Sequence, residues 1–189
     1  APFVGVPCVY GGSHVTNTYV LQRDGAIRQL TVDQEHNWCP TVLGSGRVLY
    51  LRWEYTDLPH AHSRRPFHMN PDGTAQMEYL SSNSYFPNSF FYARPIPGEA
   101  TKVVGVATGH HGNARTGRLL VIDPAQGRHE AAGVVREMPG RGKKVAAVIR
   151  DPLADGVWPQ FLHPYPLSEK YVLAAAKPSP SSLWGIYLV

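Results

Sequence analysis

Cysteine is scarce: Cys8 and Cys39 are the two in 189 residues. There is no Cys-x-x-Cys pair, no zinc-finger spacing, and no Cys-x-x-Cys-His for covalent haem attachment. Whether the two cysteines pair is left open by the sequence, and one bridge would not fix a redox compartment. Charge is thin as well, at 17% Asp, Glu, Lys and Arg, where an ordinary domain carries about 25%. The net charge of +4 is scattered apart from Arg64-Arg65 and Arg141-Gly142-Lys143-Lys144, so nucleic acid is not implied as a partner. No run approaches the roughly 18 to 20 apolar residues of a membrane helix, so no membrane span is expected. The opening Ala1-Pro-Phe-Val-Gly-Val-Pro7 lacks the basic start and apolar middle of a signal peptide, and a soluble chain is expected. A Gly-x-Ser-x-Gly nucleophile elbow is missing. Gly140-Arg-Gly-Lys-Lys144 lacks the spacing and the hydroxyl residue of a phosphate-binding loop, and reads as a solvated basic hairpin tip.

What is abundant is turn chemistry. Eighteen glycines and 17 prolines make turns frequent and long helices unlikely, while 43% hydrophobic and 11% aromatic residues suffice for a packed core. The turns have a period. Asp24-Gly25, a polar loop to Trp38-Cys-Pro40, the turn Gly44-Ser-Gly46 and the apolar run Val48–Trp53 are followed by the same order later. Asn70-Pro-Asp72-Gly73 leads to Tyr85-Phe86-Pro87 and then to Val103–Ala107. A third copy runs from Trp158-Pro159 to Tyr171–Ala176. The aromatic and proline landmarks Pro40, Pro87 and Pro159 are taken as the repeat register.

Four short strands per repeat of roughly 40 to 50 residues are the signature of a propeller blade. The strands expected from innermost to outermost are Pro40–Leu43, Val48–Trp53, Phe67–Asn70 and Gln76–Leu80 in the first full unit. The second has Asn88–Arg94, Val103–Thr108, Leu119–Asp123 and a fourth within 128–150, part of which reads as an extended rim hairpin. The third has Gln160–His163, Tyr171–Ala176 and Trp184–Val189, without a fourth. Thr18–Leu21 and Ala26–Thr31 read as the last two strands of an earlier unit. The expected fold is all-β: residues 1–189 form one partial β-propeller domain, about three to four four-stranded blades of a six- to eight-bladed ring. Because such a count does not close a ring, the chain is expected to be a fragment of a longer multidomain protein, with ring completion by a second copy as the alternative.

Asp24-Gly-x-Ile-Arg-Gln-Leu-Thr31, followed by Trp38-x-Pro40, a glycine turn and Val48-Leu-Tyr-Leu51, resembles the repeat of TolB-like six-bladed propellers. It departs where Leu43-Gly-Ser-Gly46 replaces their usual Ser-Pro-Asp-Gly. Glu35-His-Asn-Trp-Cys-Pro-Thr41, Arg52-Trp-Glu-Tyr-Thr-Asp-Leu-Pro-His60, Gly109-His-His-Gly112 and Phe161-Leu-His-Pro-Tyr-Pro-Leu-Ser-Glu-Lys-Tyr171 are similar to proteins related to the middle propeller domain of the hydrazine synthase alpha subunit. That resemblance implies an extracytoplasmic, multidomain protein whose propeller sits between haem-carrying segments, with other domains or subunits of the same complex as partners. It carries haem attachment to no residue of this chain, because the attachment motif is missing.

Antiparallel strands alternate in direction, so the loops entering each inner strand and those between the second and third strands leave from one end. This places His36, His60, His62, His110 and His111 on one face, with Asp57 among them. Imidazole and carboxylate from separate loops suit a transition metal, zinc or iron, with His60-x-His62 aimed the same way from extended backbone. The competing reading is solvated loop histidines. Arg64, Arg65 and Arg115 could hold a carboxylate, a phosphate or a haem propionate through guanidinium forks; alternatively Arg64 and Arg65 are surface cations balanced by Glu54 and Asp57. Trp38, Phe86 and Trp158 read as wedges between blades, and Tyr165 and Tyr171 near His163 as structural or as a ligand group.

Three functions follow. The chain is a scaffold whose His-rich face docks a neighbouring domain, subunit or metal- or haem-bearing group. Alternatively it is a redox enzyme domain with a His-liganded metal or haem, or a TolB-like protein-interaction module.

Overall fold

The computed structural model describes residues 15–54, 63–82, 84–111, 115–140 and 148–189. Among these residues the architecture is all-β, with helix limited to two short 3-10 turns, Pro124–Gln126 and Glu130–Gly133. Strands β1 (Tyr19–Leu21) and β2 (Ile27–Gln29) form a hairpin. A first meander follows: β3 (Asn37–Val42), β4 (Val48–Trp53), β5 (Arg64–Met69) and β6 (Met77–Glu78). The second comprises β7 (Ser89–Pro95), β8 (Val103–Thr108), β9 (Arg118–Ile122) and β10 (Val134–Met138). Three strands, β11 (Gln160–Pro166), β12 (Val172–Lys177) and β13 (Gly185–Leu188), complete the order. None of the sheets closes on itself.

Successive units touch through a recurrent seam. Arg64, opening β5, pairs in parallel with Ser89 of β7, and its N–H donates to Asn88 O. One unit later, Gly117 pairs with Phe161 through reciprocal backbone bonds of 3.3 and 2.9 Å. Each third strand thus meets the first strand of the next unit at one point, and the sheets then diverge to stack face against face.

The second meander is buried on both faces, which is why β8 and β9 read as unbroken apolar runs rather than as alternating ones. Strand period 2 divides them: Val103, Ala107, Leu120 and Ile122 enter a cluster with Phe90 of β7 and with Leu49 and Leu51 of the first meander. Val104, Val106, Leu119 and Val121 enter another with Phe161, Val172, Ala174 and Ala176 of the three-stranded sheet. A third cluster, Tyr50, Phe67 and Met69, is covered by Leu30 just after the β1–β2 hairpin. At the other end of the stack the apolar supply outruns its cover: Ile186 is 76% and Leu188 61% exposed. They lie on the face of β13 opposite the one that packs against β11's neighbours.

Inner strands share a further device. The pairings of β3, β7 and β11 each slip, between Trp38 and Thr41, Phe91 and Arg94, and Leu162 and Tyr165. Within each slip sits a non-glycine residue with left-handed backbone: Cys39 (φ 52°), Tyr92 (φ 57°) and His163 (φ 48°). These are β-bulges at corresponding positions.

They correct the expected repeat register. Pro40 corresponds to Ala93 and Pro164, the residues after the bulge, whereas Phe86-Pro87 and Trp158-Pro159 stand before the strand. Trp38 therefore matches Phe91 and Leu162, not Phe86 and Trp158. Phe86 is a core residue as expected, but Trp158 is half-buried beneath Lys177, whose Nζ lies 5.4 Å from its ring. The two 3-10 turns lead directly into β10, and residues 141–147, which hold the tip of the expected rim hairpin, lie outside the described residues.

Two predictions concern this scaffold. A Cβ at Gly105 would fall 2.6 Å from the far end of the Phe90 ring. Gly105→Ala should therefore cost about 1–3 kcal/mol, and Phe90→Ala about 3–5 kcal/mol by emptying the site, both read from denaturant melts. The second concerns His68, whose Nδ1 accepts from Arg47 Nε at 3.0 Å while Arg47 also holds Asn70 and the Ala75 carbonyl. Burial, then the Arg47 and Arg128 charges, push its imidazole down to about 4. The unfolded chain takes up that proton first, so stability should be level above about pH 6.5 and fall between there and about 4, by at most about 1.4 kcal/mol per pH unit. Melts against pH should show a shallower fall in His68→Gln; an equal slope would contradict the assignment.

Candidate functional site

The loops entering the inner strands and those joining second to third strands do gather at one end, tied by backbone. Trp53 N donates to His36 O at 3.0 Å and His110 N to Asp151 O at 3.1 Å. Gly109 makes the second contact feasible: a Cβ there would stand 1.6 Å from Asp151 O. His111 completes the clasp, its N–H donating to Asp151 Oδ1 and its Nδ1 lying 2.5 Å from Oδ2.

Two tryptophans form the floor of this end. Trp38 and Trp53 stack with ring centroids 5.8 Å apart, and His36 lies nearly parallel to both, at 5.3 and 6.1 Å. His110 tilts against Trp53 at 5.8 Å, and Phe91 against Trp38 at 5.5 Å. These are the separations at which aromatic pairs attract beyond simple area burial. Two guanidinium groups sit on the same rings: Arg64 lies 4.6 Å from the Trp53 centroid, and Arg115 lies 5.7 Å from Trp38 and 4.8 Å from Phe91. Cation–π attraction is strongest where water is excluded, and Arg64 is fully buried.

The electrostatics follow from that burial. His36 accepts the Thr16 N–H at Nδ1, 3.1 Å away, and burial, with Arg115 behind it, lowers its pKa and favours the neutral ring. Burial likewise lowers Arg115. Glu35 is buried in the adjoining loop, neither carboxylate oxygen has a hydrogen-bond partner among the described residues, and burial raises its pKa.

The expected site residues fare differently. His36, Arg64, His110 and Arg115 converge on the Trp38–Trp53 floor, and His111 stands beside it on Asp151. Arg65 turns the other way, as strand period 2 requires of the neighbour of Arg64. Its guanidinium pairs with Glu54 and Glu78 and is not a cation of this face. Arg65 is balanced by Glu54 as expected and by Glu78, but its side chain is only 11% exposed, and Arg64 is fully buried, so neither is a surface cation. His60, His62 and Asp57 lie outside the described residues. Among the described residues, no three His, Cys, Asp or Glu side chains meet closely enough to hold a metal ion. His36 and His110 present ring faces to Trp53 rather than sharing a focus, so the described part of this face is not a metal cage. Sequence reasoning missed the tryptophan floor because Trp38 reads as a blade wedge and Trp53 as the end of an apolar strand. The signal available was Trp53's place at the mouth of the His-rich connection.

No family model, TolB-like or other, matches the chain, and no curated protein matches it in sequence. Among solved structures the fold is similar to hydrazine synthase from Kuenenia stuttgartiensis, with a TM-score of 0.60 at 17% identity. The match covers 86% of this chain and 19% of that one, so this chain spans about a fifth of that protein's length. What the two share is the fold.

Gly109→Ala should separate the two loops and loosen His110 and His111 together. The expected loss is about 1–3 kcal/mol of stability, accompanied by shifts of both histidine ring signals in NMR spectra; unchanged signals would contradict the clasp.

Proposed function

We propose that the chain is an arc of a β-propeller from a multidomain protein of the hydrazine synthase alpha type, and that its tryptophan-floored face docks a neighbouring domain or subunit. Stacked four-stranded meanders with both sheet faces covered support the propeller reading, as does the fold likeness. On this reading β1–β2, the two meanders and β11–β13 are three to four blades of a six- to eight-bladed ring, and the exposed β13 face awaits the next blade. The host compartment on this account is extracytoplasmic.

The observation that carries the docking role is that Trp53 is contacted by His36, Arg64 and His110, from three separate stretches of chain. Tryptophan and arginine are the residues that dominate binding hot spots. A floor of such rings, with cations on it and histidines at its edge, suits a partner that presents a planar or anionic group, such as a carboxylate or the edge of a haem held by the neighbouring domain. The alternative is a metal-bearing redox site, in which His60, His62 and Asp57 would join His110 and His111.

Expression in the native host with a purification tag tests this reading. The chain should co-purify at fixed stoichiometry with a haem-bearing polypeptide, seen in the visible spectrum. Trp53→Ala should weaken that association at least about tenfold, the scale of a hot-spot truncation, with the chain still folded. Association that is indifferent to Trp53→Ala would overturn it. Stoichiometric metal that stays on the isolated, desalted chain and is lost in His60→Ala and His110→Ala would favour the metal-site alternative.

A further inference from the structure

The bulges at Cys39, Tyr92 and His163 bring three chemically capable side chains together where the inner strands meet. They line a cavity of about 340 Å³ with Arg94 and Tyr165. The Tyr92 and His163 ring centroids lie 4.0 Å apart, and the Cys39 sulfur accepts the Tyr92 backbone N–H. A non-glycine residue in left-handed backbone costs on the order of 1–3 kcal/mol and gathers at functional sites. Here the same departure occurs three times, and each time it turns a side chain into one cavity.

The chemistry of that lining is lopsided. The Arg94 guanidinium, the Tyr92 and Tyr165 hydroxyls and the His163 imidazole offer N–H and O–H donors, and among the described residues no carboxylate lines the cavity. Arg115 stands behind Tyr92 and Cys39, near enough to interact electrostatically with both. Among the described residues neither Arg94 nor Arg115 has an ion-pair partner, unlike Arg52, Arg65, Arg118 and Arg136 and like Arg47 and Arg128, which instead hold neutral groups. A donor-rich pocket next to two uncompensated guanidinium groups complements an anion and disfavours a cation.

We infer that this cavity is a binding site for a small oxyanion, either a carboxylate or an inorganic oxyanion such as phosphate, held by Arg94, Tyr92 and His163 against the Cys39 sulfur. The cavity adjoins the tryptophan floor and shares Arg115 with it, but the inference does not depend on the docking role proposed for that floor.

Cys39 supplies the readout. Iodoacetate is itself a carboxylate, whereas iodoacetamide is its neutral analogue; with either, the thiolate displaces iodide and forms one S–C bond. The ratio of their alkylation rates at Cys39, measured by peptide mass spectrometry, should be about tenfold higher in the folded chain than at the same thiol in urea, the scale of a charged hydrogen bond. Acetate or phosphate should suppress the excess in a saturable way, and which of the two competes better separates carboxylate from inorganic oxyanion. Arg94→Gln, at an exposed position, should abolish the preference without lowering the melting temperature. Tyr92→Phe, which keeps the ring, should reduce it. A ratio equal to that in urea, or one that persists in Arg94→Gln, would overturn the assignment.

Discussion

The geometry of this chain depends on one left-handed residue in the middle of each inner strand. A bulge adds a residue to one side of a ladder, bends that strand and increases its twist. With β3, β7 and β11 bent at the same place, their neighbours can diverge into stacked sheets while the inner strands stay together. Glycine would adopt this conformation at little cost, yet Cys39, Tyr92 and His163 hold the three positions. The conformational cost is offset by burial on both faces of β8 and β9, where every residue from Val103 to Thr108 is inaccessible. Stacking of sheet on sheet is thus what permits an unfavourable backbone, and the unfavourable backbone is what aims the side chains.

The outer end of the stack follows the same logic. Its histidines and arginines are placed less by their own bonds than by backbone contacts: Trp53 to His36 within the first meander, and Arg64 to Asn88 and His110 to Asp151 between units. The Trp38–Trp53 stack forms within the first meander, whereas Phe91, His110 and Arg115 reach it only when the units pack.

Much of the strand order was legible. Apolar runs such as Val48–Trp53 and Val103–Ala107 are continuous because both their faces are covered, and Gly25, Gly46 and Gly73 punctuate them with positive φ. The meeting of His36 and His110 at one end was legible too, since it needs only the alternation of strand direction. The inner-strand register was not. A left-handed Cys, Tyr or His carries no compositional mark, so sequence pattern matches Trp38-Cys39-Pro40 by its proline to Phe86-Pro87, whereas its bulge matches Phe91-Tyr92-Ala93. Leu162-His163-Pro164 held the missing clue, a large apolar residue, a bulge residue and a proline in the order of Trp38-Cys39-Pro40. The pairing of Arg64 with Arg65 as one binding unit failed for a simpler reason, since adjacent strand residues point to opposite sides and Glu54 and Glu78 already occupy Arg65. Stacking of guanidinium on tryptophan depends on packing distances that no local pattern encodes.

The convergence of the inner strands can be measured without any ligand. In isotope-labelled protein, nuclear Overhauser contacts between the Tyr92 and His163 ring protons report whether two bulges from successive units face each other. With ring centroids 4.0 Å apart, strong contacts are predicted. Their absence in the folded chain, with Tyr92 contacting only residues of its own meander, would contradict the account of how the inner strands meet.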